Sequence, residues 1–164
     1  MKIDIARQPL VPAFMTLFAL AVAAMCAGIP VSDTSGAVRD ALPLLGGQLA
    51  RFQAAYPVWS KFAAGFMLLF TGMCAGRITI RYNLYTVGTC LPIPLYAIVA
   101  CGIATGGNYL AGFAASMLLA LATKNYCRAF CNGYGFDAIF RASLYLGLMP
   151  LVYAPALPLL LLLP

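Results

Sequence analysis

The sequence predicts an all-α, polytopic integral membrane bundle with about five transmembrane helices and a sixth begun after Pro155. Three observations carry that expectation. Of 164 residues, 63% are hydrophobic and only 9% charged, against about 45–50% and about 25% in a soluble domain, so there is too little charge to coat a water-facing surface. The charged residues are spaced so that long uncharged runs separate them. Glycine and alanine recur through those runs, which permits close helix contact in lipid. The composition excludes a disordered chain and a disulfide-stapled secreted miniprotein. The net charge of +6 comes from ten scattered Lys and Arg rather than a basic face, which excludes nucleic acid as a partner.

A helix needs roughly 20 residues to cross a hydrocarbon core about 30 Å thick. From Gln8 to Ser32 there are 25 uncharged residues, and the first span is expected at 10–29. Lys2 and Arg7 precede this run as they would in a signal peptide, but an h-region has only about 7–15 residues. Met25 before Cys26 also does not suit a lipoprotein cleavage site, so the run reads as an uncleaved anchor. Between Lys61 and Arg77 lie 15 uncharged residues. Val58 and Trp59 extend that run if Lys61 snorkels to the interface, giving a second span at 58–76.

From Tyr82 to Thr123 the uncharged stretch is 42 residues, room for two crossings turned at Gly106-Gly107-Asn108. These are spans three and four, 84–103 and 109–123. After Arg141 come 23 uncharged residues containing Pro150, Pro155 and Pro158, each of which removes a helix donor. The expectation there is a helix at 139–154, a break near Pro155 and a second helical start in the apolar tail 155–164. All five spans form one membrane-embedded domain, read also as the N-terminal part of a longer protein.

Strung together, these spans place Lys2, Arg7, Arg77, Arg81, Lys124, Arg128 and Arg141 on one side and Arg39, Arg51 and Lys61 on the other. The positive-inside rule then puts the N-terminus in the cytoplasm. The first outer loop, Pro30 to Pro57, holds Asp33 and Asp40, and Leu42, Leu45, Leu49 and Phe52 share one helical face, the spacing of a helix lying in the headgroup plane. Gly46-Gly47 weakens that helix.

The inventory for chemistry is narrow. There is no histidine or glutamate, so Ser-His-Asp and two-glutamate mechanisms are excluded, and no predicted span carries an ionisable group at its middle, as a proton-coupled transporter would. Four of the six cysteines, Cys26, Cys74, Cys90 and Cys101, fall in predicted spans, where cysteine behaves as a small hydrophobe. Cys127 and Cys131, four apart, share a helix face but lack the further ligands of a tetrahedral zinc site. No metal and no cofactor is expected.

Asp33 and Asp40 are candidate catalytic residues, placed to hold a divalent ion or to accept a proton at the membrane surface; the plainer reading is a solvated loop. Arg77 and Arg81 are candidate lipid-phosphate ligands, since guanidinium bonds phosphate bidentately; the plainer reading is a stop-transfer flank. The connection from Lys124 to Asp137 is the most chemically varied stretch, with aromatics suited to an interfacial belt and Asp137 placed to cap or pair near the next helix start.

Gly76-Arg77-Ile78 through Tyr82-Asn83-Leu84, Leu91-Pro92-Ile93-Pro94-Leu95-Tyr96 and Phe136-Asp137-Ala138, followed by Leu146-Gly147-Leu148-Met149-Pro150 and Tyr153-Ala154-Pro155-Ala156-Leu157-Pro158, resemble in order an uncharacterised family of multi-span inner-membrane proteins of Bacteroidetes. That resemblance covers about two thirds of the chain and implies no activity. The plan of a cytoplasmic N-terminus, one span, an acidic outer loop and short-looped spans also resembles, more faintly, the front part of integral-membrane (C-type) glycosyltransferases that use polyprenyl-phosphate sugars. That likeness implies an acceptor or metal role for Asp33 or Asp40 and a lipid-linked sugar as partner. The expected function is a non-catalytic membrane component whose partners are membrane lipid and other membrane subunits; the transferase fragment is the alternative.

Overall fold

The computed structural model describes residues 13–19, 22, 44–82, 92–103, 109–131 and 135–162. Every element among them is helical and no strand occurs. After the helical segment 13–19 come α1 (Leu44–Ala55), α2 (Pro57–Arg81), α3 (Pro92–Ile103), α4 (Tyr109–Cys131), α5 (Phe136–Val152) and a 3-10 helix, Ala154–Leu162.

One helix among the described residues, α2, is long and apolar enough to cross a membrane. Its 25 residues measure about 37 Å at 1.5 Å each. The other predicted spans fall short of that standard for separate reasons. The 12 residues of α3 reach only about 18 Å, and the rest of the predicted span 84–103 lies outside the described residues. The 17 residues of α5 reach about 26 Å. In α4 the apolar part ends at Thr123, ahead of Lys124 and Asn125. Of the predicted first span, only 13–19 and 22 are described, all helical.

Several boundaries differ from the sequence expectation. The segment from Lys124 to Cys131 is not a connection, because α4 continues through it: charges mark where a chain leaves hydrocarbon, but they leave the backbone hydrogen-bond ladder intact. Asn125 donates from Nδ2 to the Leu121 carbonyl at 2.9 Å, and Tyr126 stacks on Phe130. Similarly α2 runs past Gly76 to Arg81, so both arginines are helical. At the far end Pro150 sits inside α5 without ending it. The break comes at Tyr153, in extended backbone, whose N–H still bonds the Met149 carbonyl at 2.8 Å. The segment after Pro155 is the 3-10 helix, which folds back on α5 through Ala156 and Leu159; its nine residues measure about 18 Å.

Two packed regions organise the bundle. In one, Ala64 and Leu68 of α2 meet Ala13 and Leu17, Ile93 and Ala97 of α3, and Tyr109, Leu110 and Phe113 of α4. In the other, Ala115 and Ala122 of α4 meet Leu146 and Met149 of α5. The α4–α5 pair makes the most extensive contact among the described elements, and its buried positions are mostly alanines, which let two helix backbones approach closely. The expected helix in the outer loop exists as α1, but its inward positions are Gly46 and Gln53 with Leu49 beside them, while Leu45 and Phe52 point outward. It touches α2, α4 and α5. Only Tyr56 separates it from α2: the Tyr56 N–H bonds the Phe52 carbonyl and Pro57 opens the next helix at its first position, where a missing donor costs nothing.

Candidate functional site

The chemistry of this molecule concentrates on α2, whose two faces differ completely. Its inward face carries Ser60, Ala64, Gly65, Leu68, Thr71, Gly72, Gly76 and Thr79, all buried. Gly72 and Gly76 are four residues apart and hence stacked on one face, and each is occupied by a side chain from elsewhere. A Cβ on Gly72 would stand 2.8 Å from a Leu17 methyl, and one on Gly76 would stand 2.5 Å from Ile93. Leu17 is 0% exposed and Ile93 1%. The arrangement is a small-xxx-small contact satisfied within the chain. Its signal, Gly72-Met73-Cys74-Ala75-Gly76, stands plainly in the sequence, but periodicity could not say which glycines of the spans meet a neighbour.

Of the hydroxyls on this face, Ser60 is paired across the bundle, Thr79 bonds the Ala75 carbonyl of its own helix at 2.9 Å, and Thr71 Oγ1 is buried with no partner among the described residues. The Ser60 hydroxyl donates to the Pro57 carbonyl at 2.8 Å, and Ser60 Oγ lies 2.6 Å from the Tyr109 hydroxyl. A serine has one proton to give. With that proton on Pro57, Tyr109 is the donor to Ser60. A similar pair, Tyr96 and Ser116 at 3.1 Å, joins α3 to α4. Such bonds fix helix rotation where the surrounding contacts are all apolar.

The outward face is large, aromatic and uncovered. Trp59 is 68% exposed and Phe66 67%, with Phe62, Phe70 and Met73 beside them. Trp59 with Phe62 and Phe66 with Phe70 form ring pairs at 6.4 and 6.3 Å. At the α1–α2 junction Phe52, Tyr56, Trp59, Phe62, Ala63 and Phe66 line an open groove of about 620 Å³. At the other end of the same stripe stand Arg77 and Arg81, both exposed and four residues apart. Neither forms an ion pair among the described residues, where the one ion pair joins Arg141 Nε to Asp137 Oδ1 at 3.0 Å.

That pair resolves the expectation for Asp137. It bonds Arg141 one turn ahead and caps nothing, since the start of α5 at Gly135 has no side-chain cap; a carboxylate in the first turn also meets the positive end of the helix. Asp33 and Asp40 lie outside the described residues, and with them the acidic site of the transferase reading. Cys74, Cys127 and Cys131 are free thiols. Burial pushes the Cys127 thiol up from its ordinary value, and Cys131 beside it adds to the rise, so Cys127 is held as the neutral thiol, the form that neither attacks nor binds metal. Among the described residues no three Cys, Asp or Glu converge on a point that could hold a metal ion. Comparison with family models, curated proteins and solved structures finds no match.

Proposed function

We propose that this chain is a multi-span component of a bacterial inner membrane, with five crossings and its N-terminus in the cytoplasm. In this reading it contributes packing rather than catalysis, building a helical platform for lipid and for other membrane subunits. The observation that supports this reading is the division of α2 into a small-residue face filled by Leu17 and Ile93 and an aromatic face turned outward along most of its length. In water an apolar strip of that size is a liability. In a bilayer it is the solvated side, with Tyr56 and Trp59 at one end as an interfacial belt and Arg77 and Arg81 at the other. The helices shorter than α2 cross with local thinning of the bilayer or with snorkelling flanks.

Sandwich fusions of a side-specific reporter after Tyr56 and after Tyr82 test the topology. The expected result is an external reporter at the first position and a cytoplasmic one at the second. Reporters on the same side at both positions would remove α2 as a crossing and the proposal with it. The non-catalytic half fails separately, if the purified chain is monomeric and turns over a substrate unaided.

A further inference from the structure

We infer that α2 binds one anionic phospholipid, its phosphate held between Arg77 and Arg81 and an acyl chain lying along Met73, Phe70 and Phe66. The inference rests on α2 being a crossing, as proposed above, and adds what occupies its outer face. Phe66, Phe70, Met73, Arg77 and Arg81 follow one another at spacings of four, three, four and four, so they form one stripe on one side of the helix, and all five are exposed. Phe66 and Arg77 are 11 residues apart, about 16 Å along the axis. That is about half the thickness of a bilayer core, the depth of one leaflet. A chain lying against the two rings and Met73 therefore brings its headgroup to the arginines.

Charge decides the class of lipid. Arg77 and Arg81 are one turn apart, about 6 Å along the axis, both are exposed, and neither is neutralised by a carboxylate among the described residues. Guanidinium forms paired hydrogen bonds to phosphate oxygens, and two of them favour a headgroup with net negative charge over a zwitterionic one. The cytoplasmic leaflet, where the proposed orientation puts this end of α2, is rich in such lipids. A partner helix fits the stripe poorly. Helices associate in lipid through small residues, and the five stripe positions have none; the two glycines of the small-xxx-small contact lie on the opposite face, where Leu17 and Ile93 already fill them. Flexible acyl chains conform to a ridge of rings that a rigid helix cannot match.

The chain has one tryptophan, Trp59, remote from the arginines, so one protein supports two readouts. Purified full-length protein is placed in phosphatidylcholine bilayers, and lipids brominated high on the acyl chain quench indole fluorescence on contact. In the unaltered chain, quenching of Trp59 by brominated phosphatidylcholine reads whether α2 lies in the bilayer at all. In the Trp59→Phe, Ile80→Trp chain the sole indole flanks the two arginines. Brominated phosphatidylglycerol at low mole fraction should quench it more strongly than brominated phosphatidylcholine, with a preference of about fivefold for each arginine. Arg77→Gln with Arg81→Gln should bring the two lipids to parity. If that variant loses its helical circular dichroism, a salt series on the Ile80→Trp chain replaces it, and high salt should erase the preference.

Equal quenching by the two lipids, or a preference that survives Arg77→Gln and Arg81→Gln, overturns the inference. Quenching by neither lipid also overturns it, since the face is then covered by protein. A quenched Trp59 beside a failed preference leaves the crossing intact and removes only the lipid site; an unquenched Trp59 removes the crossing.

Discussion

Gly76 in α2 and Gly147 in α5 are both helical glycines in apolar sequence, yet they do opposite things. A Cβ on Gly76 would collide with Ile93, whereas one on Gly147 would meet nothing within 4 Å. The same split divides the regions around them. On α2 the glycines are contact points that admit side chains of 13–19 and α3, while the α4–α5 pair closes on alanines and leaves Gly112 and Gly147 open. The lesson is that a small residue in an apolar helix has two sources: a neighbour that requires it, or lipid that merely tolerates it. Ile93 makes Gly76 the stricter of the two α2 positions. Its contacting atoms, Cγ1 and Cδ1, belong to a β-branched side chain that is stiff at χ1, while Gly72 meets mainly the two methyls of a leucine.

The largest effect is expected from Gly76→Leu, which overpacks the α2–α3 contact and should cost about 3 kcal/mol, read as a lowered unfolding midpoint in detergent. In an Ile93→Ala background Gly76→Ala should cost far less than it does alone, a coupling that a double-mutant cycle measures. Additivity there would break the comparison, because Ile93 would not be what requires the glycine.

Next in size is the buried pair on the same face. Ser60→Ala strands the Tyr109 hydroxyl and should cost about 1–3 kcal/mol. Tyr109→Phe leaves Ser60 bonded to the Pro57 carbonyl and should cost less, about 1 kcal/mol. Equal losses would mean that the donor order along Tyr109, Ser60 and Pro57 is not the one described.

On the open side, Gly147→Ala should stabilise by about 0.5–1 kcal/mol through helix propensity alone, the opposite sign to Gly76→Ala. A destabilised Gly147→Ala would place an unseen neighbour at that position and so sharpen the contrast differently.

The smallest effect is chemical. Because burial and Cys131 raise the folded Cys127 thiol, its alkylation rate in the folded chain should level off at a higher pH than in the urea-unfolded chain, whose thiol is free of both effects. The unfolded chain gives up that proton first, so stability should fall as pH rises through the same window. A folded Cys127 whose rate levels off at the same pH as in the unfolded chain would contradict the burial.

Much of the helical content was legible because composition reports it. The apolar runs foretold α2, α4 and α5, and the prolines foretold a break near the end of α5, which falls two residues before Pro155. The helical spacing of Asp137 and Arg141 allowed their ion pair. Charge proved a poor guide to helix ends, as α4 shows by carrying Lys124 and Arg128 in its last two turns. The aromatic stripe was equally readable at its spacing of three and four, but nothing in the sequence distinguished an outward Phe66 from a buried Phe113. In an apolar helix the hydrophobic pattern is nearly uniform around the circumference, so it assigns no inside.

The sequence by itself determined that this protein is helical, that few of its residues are charged, and that α2 is long and apolar enough to cross a membrane. Those properties follow from composition and local hydrogen bonding, which each segment carries without its neighbours. Only the tertiary structure decided that Gly72 and Gly76 receive Leu17 and Ile93, that Tyr109 finds Ser60 across 49 positions of chain, and that the stripe of rings ending in Arg77 and Arg81 is the exposed side of α2. Those facts depend on which segments meet. When hydrocarbon and protein interior are equally apolar, that choice rests on shape and on a few hydroxyls rather than on hydrophobicity.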